Sequence, residues 1–207
     1  MPKIVDHDQR RAELARAVWK VIGRDGIEGV TVRRVAEEAG VSIGGMRHYF
    51  DSQRGLLRFA AEAMATSVGA RVARHLHGAP PGVERARMIL EEFLPLDEER
   101  RVETDVWLAC LVRSRVDESL AEMREKGWAG ERHLCRLAVA YCRGARPPEQ
   151  IGDELGDAHL EQLAARLHVF MDGLTLQAAM FPDELPAAEV RAILRRELDL
   201  MCEGARP

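Results

Sequence analysis

The sequence predicts an all-α fold of about nine helices. Ala, Leu, Glu and Arg recur throughout the chain while aromatic residues make up only 5% of it, and this composition favours helices over strands. Apolar residues also repeat at the three- and four-residue spacing of amphipathic helices. The sequence contains no run of about 18 apolar residues that could cross a membrane, and its first residues lack the apolar core of a secretory signal. We therefore expect a globular, cytoplasmic protein.

Three short helices are predicted in the N-terminal part of the chain. The first spans residues 10–25 and carries a single apolar stripe. Thr31 and Ser42 are suitable N-caps for a second and a third helix, which are expected to end at Ala39 and near Phe50. This pattern predicts a small three-helix unit.

Six longer helices are predicted in the remainder of the chain. Their expected bounds are residues 52–77, 83–94, 97–114, 117–143, 158–180 and 186–202. At about 1.5 Å per residue, the first of these is about 37 Å long, which is more than a three-helix unit needs. The sequence therefore predicts two domains, residues 1–51 and residues 52–207, connected by this helix.

Charge is distributed unevenly between the two parts. The net charge is −4 overall, yet residues 1–54 contain ten Lys and Arg against eight Asp and Glu, whereas residues 55–207 contain twenty against twenty-six. This asymmetry indicates that the two parts have different partners. The cysteines form no C-x-x-C pair and are expected to be free thiols. They are Cys110, Cys135, Cys142 and Cys202.

Residues 31–50, TVRRVAEEAGVSIGGMRHYF, have the spacing of a helix-turn-helix unit. Ala36 is small where the two helices would cross, and Gly40 permits a tight turn between them. Met46 and Phe50 lie one turn apart and are expected to face inward. The second helix would then present an exposed face to a partner. That face consists of Gly44, Gly45, Arg47, His48 and Tyr49.

The two adjacent glycines of the second helix need an explanation. Within a helix, Gly44 and Gly45 each cost roughly 1 kcal/mol relative to Ala. Without side chains, the backbone could approach the floor of a DNA groove and leave Arg47 to contact guanine or a phosphate. Alternatively, the pair lies in a frayed first turn, where the cost is small. Both explanations are open at this point.

Two segments resemble a known family. Residues 26–36, GIEGVTVRRVA, and residues 48–53, HYFDSQ, the latter followed by Leu56 and Leu57, are similar to the TetR-type (tetracycline-repressor-like) bacterial transcriptional regulators. The resemblance implies an all-helical fold of nine or ten helices. It also implies an N-terminal DNA-binding domain and a C-terminal domain for effector binding and dimerisation.

This resemblance assigns DNA contacts to ten residues. They are Thr31, Arg33, Ser42, Ile43, Gly44, Gly45, Arg47, His48, Tyr49 and Gln53. Two of them depart from the family's pattern. Arg47 stands where a Tyr is common, which should change the base preference. Gln53 stands where many members have a phosphate-binding Lys, which should weaken one phosphate contact, although a glutamine amide can still donate to a phosphate.

The resemblance also places an effector pocket within helices five to eight. The candidate pocket residues, whose types at helical spacing more often belong to an ordinary core, are Met88, Phe93, Trp107, Cys110, Met123, Trp128 and Phe170. Three polar candidates, Glu103, Arg113 and His133, are expected to be solvated instead. Residues 94–99 and 172–177 look like the BetI-type (choline-responsive repressor) branch. No metal site and no cofactor is predicted.

The last two predicted helices carry more apolar residues than one edge of a helical bundle needs, which predicts a homodimer through them. The residues concerned are Leu160, Leu163, Leu167, Phe170, Met171 and Leu174 on the eighth helix and Val190, Ile193, Leu194, Leu198 and Met201 on the ninth. Two helix-turn-helix units on a two-fold axis would contact DNA half-sites about 34–36 Å apart.

These observations together predict a DNA-binding transcriptional regulator. We expect a homodimeric repressor that binds a palindromic operator in double-stranded DNA and is released by a small-molecule effector. A constitutive architectural DNA-binding protein is one alternative, although residues 55–207 are net acidic. A helical enzyme is another, although the sequence has no G-x-S-x-G, H-E-x-x-H or phosphate-loop motif.

Overall fold

A computed structural model describes residues 7–47, 49–50, 52–78 and 80–203, with the backbone alone for residues 7–9 and 47. Within these ranges the chain forms nine α-helices and no strand, so the predicted fold class is confirmed. The helices are α1 His7–Asp25, α2 Val32–Glu38, α3 Ile43–Arg47, α4 Gln53–Gly78, α5 Val83–Glu91, α6 Glu98–Arg113, α7 Ala121–Arg143, α8 Ala158–Met180 and α9 Ala187–Glu203. None of the described helices is both long enough and apolar enough to cross a membrane.

Three predicted helices are shorter in the structure by more than one residue at one end. α3 ends at Arg47, and the chain continues as a turn in which the Tyr49 amide donates to the Met46 carbonyl at 2.9 Å. α5 ends at Glu91 and is followed by two tightened turns before Pro95. α7 begins only after a 3₁₀ turn at Glu118–Leu120. Each difference lies at a helix end, where short 3₁₀-type bonds replace the α-helical pattern.

The chain divides into two compact units. The first, which we call the N-terminal unit, contains the described residues up to Thr66 together with Asp105–Arg124. The second, which we call the C-terminal unit, contains Ser67–Thr104 and the described residues from Glu125 onward. α4, α6 and α7 each contribute to both units. This is a division by compactness, and the functional boundary at residue 51 stays a prediction.

The core of the N-terminal unit joins its helices through apolar side chains. The fully buried residues include Leu14, Val18, Val21, Val35, Ala36, Met46 and Leu56. The indole Nε1 of Trp19 donates to the carbonyl of Ala60 at 3.0 Å, which connects α1 to α4. The rings of Phe50 and Phe59 also pack against each other, with centroids 4.7 Å apart. These long-range contacts fix the position from which α2 and α3 project.

The C-terminal unit has a larger apolar core formed chiefly by α5, α7, α8 and α9. Its buried residues include Ile89, Leu90, Leu94, Cys135, Leu137, Val139, Leu163, Leu167, Met171, Leu174, Val190, Leu194, Leu198 and Met201. α8 and α9 therefore direct one apolar face into this core.

A buried network of ion pairs lies beside the core of the C-terminal unit. Glu92 is only 4% exposed. Its carboxylate accepts hydrogen bonds from Arg71 Nε at 2.6 Å and from Arg100 Nη2 at 2.8 Å, and it pairs with His75 Nε2 at 2.7 Å. Arg71 also donates to both carboxylate oxygens of Glu103. Burial alone would raise the pKa of the Glu92 carboxyl, but the hydrogen bonds from Arg100, His75 and Arg71 lower it to about 2. The network joins α4, α5 and α6.

The expectation that Glu103 is solvated is wrong, because this side chain is 4% exposed and paired with Arg71. Arg113 is half-buried and donates to Glu28 at 3.0 Å within the N-terminal unit. His133 is half-buried as well, and burial lowers the pKa of its imidazole.

Candidate nucleic-acid interface

The helix-turn-helix unit is built by two side-chain caps, as predicted. Thr31 has an extended backbone and its Oγ1 accepts from the amide of Arg34 at 3.2 Å, which begins α2. The Oγ of Ser42 accepts from the amide of Gly45 at 3.0 Å, which begins α3. Each hydroxyl satisfies one amide that has no partner within its own helix.

The turn between α2 and α3 depends on a single glycine. Gly40 has φ of +65°, a conformation that glycine adopts far more readily than residues with a side chain. The next amide, that of Val41, donates back to the carbonyl of Ala36 at 2.9 Å and closes the turn. Ala36 and Met46 are fully buried, as predicted for the helix crossing and the inward face of α3, and Val35 is fully buried with them, whereas Val41 is half-buried.

The remaining face of α3 is exposed. Ser42, Ile43, Gly44, Gly45 and the following Tyr49 are all solvent-accessible, and the apolar Ile43 is 43% exposed. These are five of the predicted DNA-contact residues. Two others fall outside what the structure describes: His48 entirely, and Arg47 beyond its backbone in α3.

The glycine pair of α3 is not required by packing against the residues that the structure describes. Among those residues, a Cβ at Gly44 would meet nothing within 4 Å, and one at Gly45 would meet only Ser42 Oγ at 3.3 Å. Gly29 behaves differently, because a Cβ there would collide with the Cβ of Asp25 and lie 3.1 Å from Arg34. The chain itself therefore explains Gly29 but not Gly44. Both α3 glycines lie in the first helical turn, so the two explanations from the sequence are still open.

The flanking candidates have structural partners. Thr31 and Arg33 are exposed, and Arg33 Nε donates to Glu37 one turn later at 3.1 Å. The side-chain amide of Gln53 donates to the carbonyl of Ile27 at 3.1 Å, which connects the start of α4 to the turn after α1. The sequence did not predict this structural role, because the hydrogen bond links residues that are distant along the chain. A contact from Gln53 to phosphate stays a prediction.

The effector-pocket candidates are divided between the two units. Trp107, Cys110 and Met123 belong to the N-terminal unit, whereas Met88, Phe93, Trp128 and Phe170 belong to the C-terminal unit. Cys110 is fully buried, and burial raises the pKa of its thiol to about 11. Trp128 is mostly exposed.

Phe170 lies in an open groove along α8 and α9, whose other lining residues are Ala165, Arg166, Val169 and Glu197. None of the other six pocket candidates lines this groove. Whether the seven residues bind an effector stays a prediction.

The predicted dimer face needs a correction. Most of the residues proposed for it, such as Leu167 and Leu194, are buried in the unit's own core. A different set of apolar residues is exposed on α8 and immediately after it, namely Val169, Leu176, Met180 and Phe181. α8 is apolar on both faces, and periodicity alone therefore did not identify the outward one.

Comparisons with known proteins agree with this geometry. Residues 14–59 match the profile described as "Bacterial regulatory proteins, tetR family", and residues 82–203 match "BetI-type transcriptional repressor, C-terminal". The chain belongs to the TetR family. Its C-terminal region is of the BetI type, which the resemblance of two short segments had suggested.

Curated relatives of this TetR-family chain are transcriptional regulators rather than enzymes. The HTH-type transcriptional regulator PksA of Bacillus subtilis (strain 168) is 31% identical over 98% of this chain and 94% of its own length. The HTH-type transcriptional regulator BetI of Vibrio atlanticus (strain LGP32) is 26% identical over 96% of this chain and 94% of its own length.

Solved structures show the same fold. A transcriptional regulator from Rhodococcus sp. Rha1 matches with a TM-score of 0.77 and 30% identity, covering 94% of this chain and 96% of that one. A transcriptional regulator from Saccharomonospora viridis in complex with choline matches with a TM-score of 0.73 and 21% identity, covering 93% and 97%. The chain is thus a DNA-binding transcriptional regulator of the TetR family.

Proposed function

We propose that the chain represses transcription as a homodimer whose two α3 helices enter successive major grooves of a palindromic operator. The observation that carries this proposal is the exposed first turn of α3, where Gly44 and Gly45 leave the backbone bare beside Ile43. A helix without side chains at two positions can approach base edges closely, and the long side chain of Arg47 then reaches guanine or a phosphate.

The flanking residues support this placement. Thr31 and Arg33 begin α2 on the exposed surface, and the N-terminus of α4 follows α3 after a short turn. Backbone amides at helix N-termini and basic side chains bind phosphates, which would fix the orientation of α3 in the groove.

Footprinting with the full-length chain on its own promoter region tests the proposal. We expect two protected half-sites about 34–36 Å apart. The Arg47→Ala variant should lose specific affinity by about 1–3 kcal/mol, or roughly 5-fold to 150-fold. Arg146→Ala is the matched control, because Arg146 is an exposed arginine that pairs with Glu149 shortly after the end of α7. Equal operator affinity in the two variants would contradict the assignment of Arg47.

Salt dependence separates a regulator from an architectural DNA-binding protein. A regulator should keep its preference for the operator over random DNA at moderate salt. An architectural protein should bind both with similar affinity and with a steep salt slope, because phosphate contacts dominate such binding. A cytoplasmic location follows from the proposal, since bacterial operator DNA lies in the cytoplasm.

The proposed dimer forms through the outward face of α8 together with α9. Val169, Leu176 and Met180 lie seven and four residues apart and share one side of α8, so they form an apolar stripe that water would otherwise cover. Val169 is 72% exposed in the single chain. A four-helix arrangement of two α8 and two α9 would bury this stripe.

Sedimentation of the Val169→Glu variant tests the dimer. Burying a carboxylate opposite its own symmetry mate is costly, so we expect monomers at concentrations where the wild type is dimeric. Val112→Glu is a suitable control, because Val112 is equally exposed but lies on α6 in the N-terminal unit. A Val169→Glu variant that stays dimeric would refute this interface.

We further propose that a small molecule bound in the C-terminal unit releases the operator. The Saccharomonospora viridis protein of the same fold holds choline, so quaternary ammonium compounds are a reasonable first group of probes. An effector lowers DNA affinity only to the extent that it binds the released form of the protein more tightly than the DNA-bound form. A tenfold loss of DNA affinity requires that the effector's binding free energies to the two forms differ by about 1.4 kcal/mol. Gel-shift titrations with such compounds would detect this change.

A further inference from the structure

Three potential metal ligands converge between α7 and α8. Glu131 lies on α7, and His168 and Asp172 lie one turn apart on α8. One ligand atom from each residue lies within 4.8 Å of the others. His168 Nε2 lies 3.8 Å from Glu131 Oε2. Residues four apart on a helix share a face, so both α8 side chains can reach one point.

The histidine of this cluster has an unsatisfied nitrogen. His168 is 3% exposed, and its buried Nε2 has no hydrogen-bond partner among the residues that the structure describes. At 3.8 Å from Glu131, this nitrogen is too distant for a hydrogen bond. Buried polar atoms are nearly always partnered, so an orphaned one is a reason to expect an additional ligand.

One carboxylate of the cluster, that of Glu131, lies where solvent is scarce. Glu131 is 7% exposed. A cation at this position would stabilise both carboxylates.

We propose that Glu131, His168 and Asp172 bind a divalent transition-metal cation, with Zn²⁺ as the best match. Zn²⁺ bonds to imidazole nitrogen and carboxylate oxygen at about 2.0–2.2 Å, so tetrahedral ligand atoms lie about 3.4 Å apart. The 3.8 Å between His168 and Glu131 is close to this spacing. Asp172 is exposed and can rotate to close the remaining gap. Mg²⁺ and Ca²⁺ prefer all-oxygen ligands and fit less well.

This site does not depend on operator binding. All three ligands belong to the C-terminal unit, and the helix-turn-helix residues belong to the N-terminal unit. A failure of the DNA-binding proposal would therefore leave the metal site standing, and the reverse is also true.

Calorimetric titration of the metal-stripped, full-length chain with ZnCl₂ tests the site. We expect one Zn²⁺ per chain, and little or no binding of MgCl₂ under the same conditions. Asp172→Asn, which changes an exposed side chain, and His168→Gln should each weaken Zn²⁺ binding at least about tenfold. His159→Gln is the matched control, because His159 is an exposed histidine in the first turn of the same helix.

Tryptophan fluorescence gives a second readout. The Trp128 ring centroid lies 5.5 Å from that of His168, so metal binding should change its emission. The change should be absent in Trp128→Phe, which keeps the other two tryptophans, Trp19 and Trp107. Absence of saturable Zn²⁺ binding would overturn the proposal. Equal affinity in Asp172→Asn, His168→Gln and the His159→Gln control would overturn it as well, and Glu131 and His168 would then form only a buried ion pair.

Discussion

Replacing Glu92 with Gln should destabilise the protein by about 3 kcal/mol. Its carboxylate accepts from Arg71 and Arg100 and pairs with His75, within a site that is 4% exposed. The difference between the ordinary pKa of 4.5 and the value of about 2 in the folded protein corresponds to about 3 kcal/mol. Breaking a buried ion pair by removing one partner costs about 3–5 kcal/mol by comparison with other proteins, which agrees.

Denaturant unfolding followed by circular dichroism measures this change, at one fixed protein concentration because a dimer's stability depends on it. Glu149→Gln is the matched control, since Glu149 forms an exposed pair with Arg146 and should change stability by less than about 1 kcal/mol. A loss below about 1 kcal/mol in Glu92→Gln would refute the reasoning that this network holds α4, α5 and α6 together.

The same carboxyl makes a pH prediction. The pKa of Glu92 is lower in the folded protein than in the unfolded chain. The contribution of its carboxylate to the free energy of unfolding is therefore complete above pH 4.5 and is lost as the pH falls towards about 2. The wild type should therefore lose stability more steeply over this interval than Glu92→Gln does. Parallel pH profiles for the two proteins would contradict the lowered pKa.

Two glycine substitutions separate packing from DNA binding. Gly29→Ala should destabilise the chain by about 1–3 kcal/mol, because the added Cβ collides with Asp25. In the control Gly23→Ala, the added Cβ meets no described atom within 4 Å and should stabilise α1 by up to about 1 kcal/mol. Thermal unfolding measures both changes, and a Gly29→Ala protein as stable as the wild type would contradict the packing argument. Gly44→Ala should leave stability unchanged or raised while lowering operator affinity in a gel shift, and unchanged affinity would favour the frayed-turn explanation instead.

Local features of the fold were predictable from the sequence. Thr31 and Ser42 were identified as caps because each hydroxyl binds an amide only three residues away. The bounds of α8, Ala158–Met180, agree with the predicted 158–180 because a loop precedes it and Pro182 follows its end. Hydrogen bonds of this kind join residues that are close together along the chain, so they can be predicted from the sequence alone.

Contacts between helices were not predictable in the same way. Glu103 was expected to be solvated because charged residues usually are, but its partner Arg71 is supplied by a different helix. Gln53 was expected at a phosphate, and its amide binds the carbonyl of Ile27. The convergence of Glu131 with His168 similarly joins two helices that no spacing rule relates. Tertiary packing decides these pairs, and periodicity gives only the face of each helix.

α8 connects the proposed interface with the proposed metal site, yet a single experiment can separate them. Successive residues of an α-helix point about 100° apart, so His168 faces the core while Val169 faces outward. Val169→Glu changes the outward stripe without altering either α8 ligand. We therefore expect this variant to lose dimerisation and still bind one Zn²⁺ per chain. Loss of both would instead mean that pairing of the two chains is needed to hold His168 and Asp172 in place.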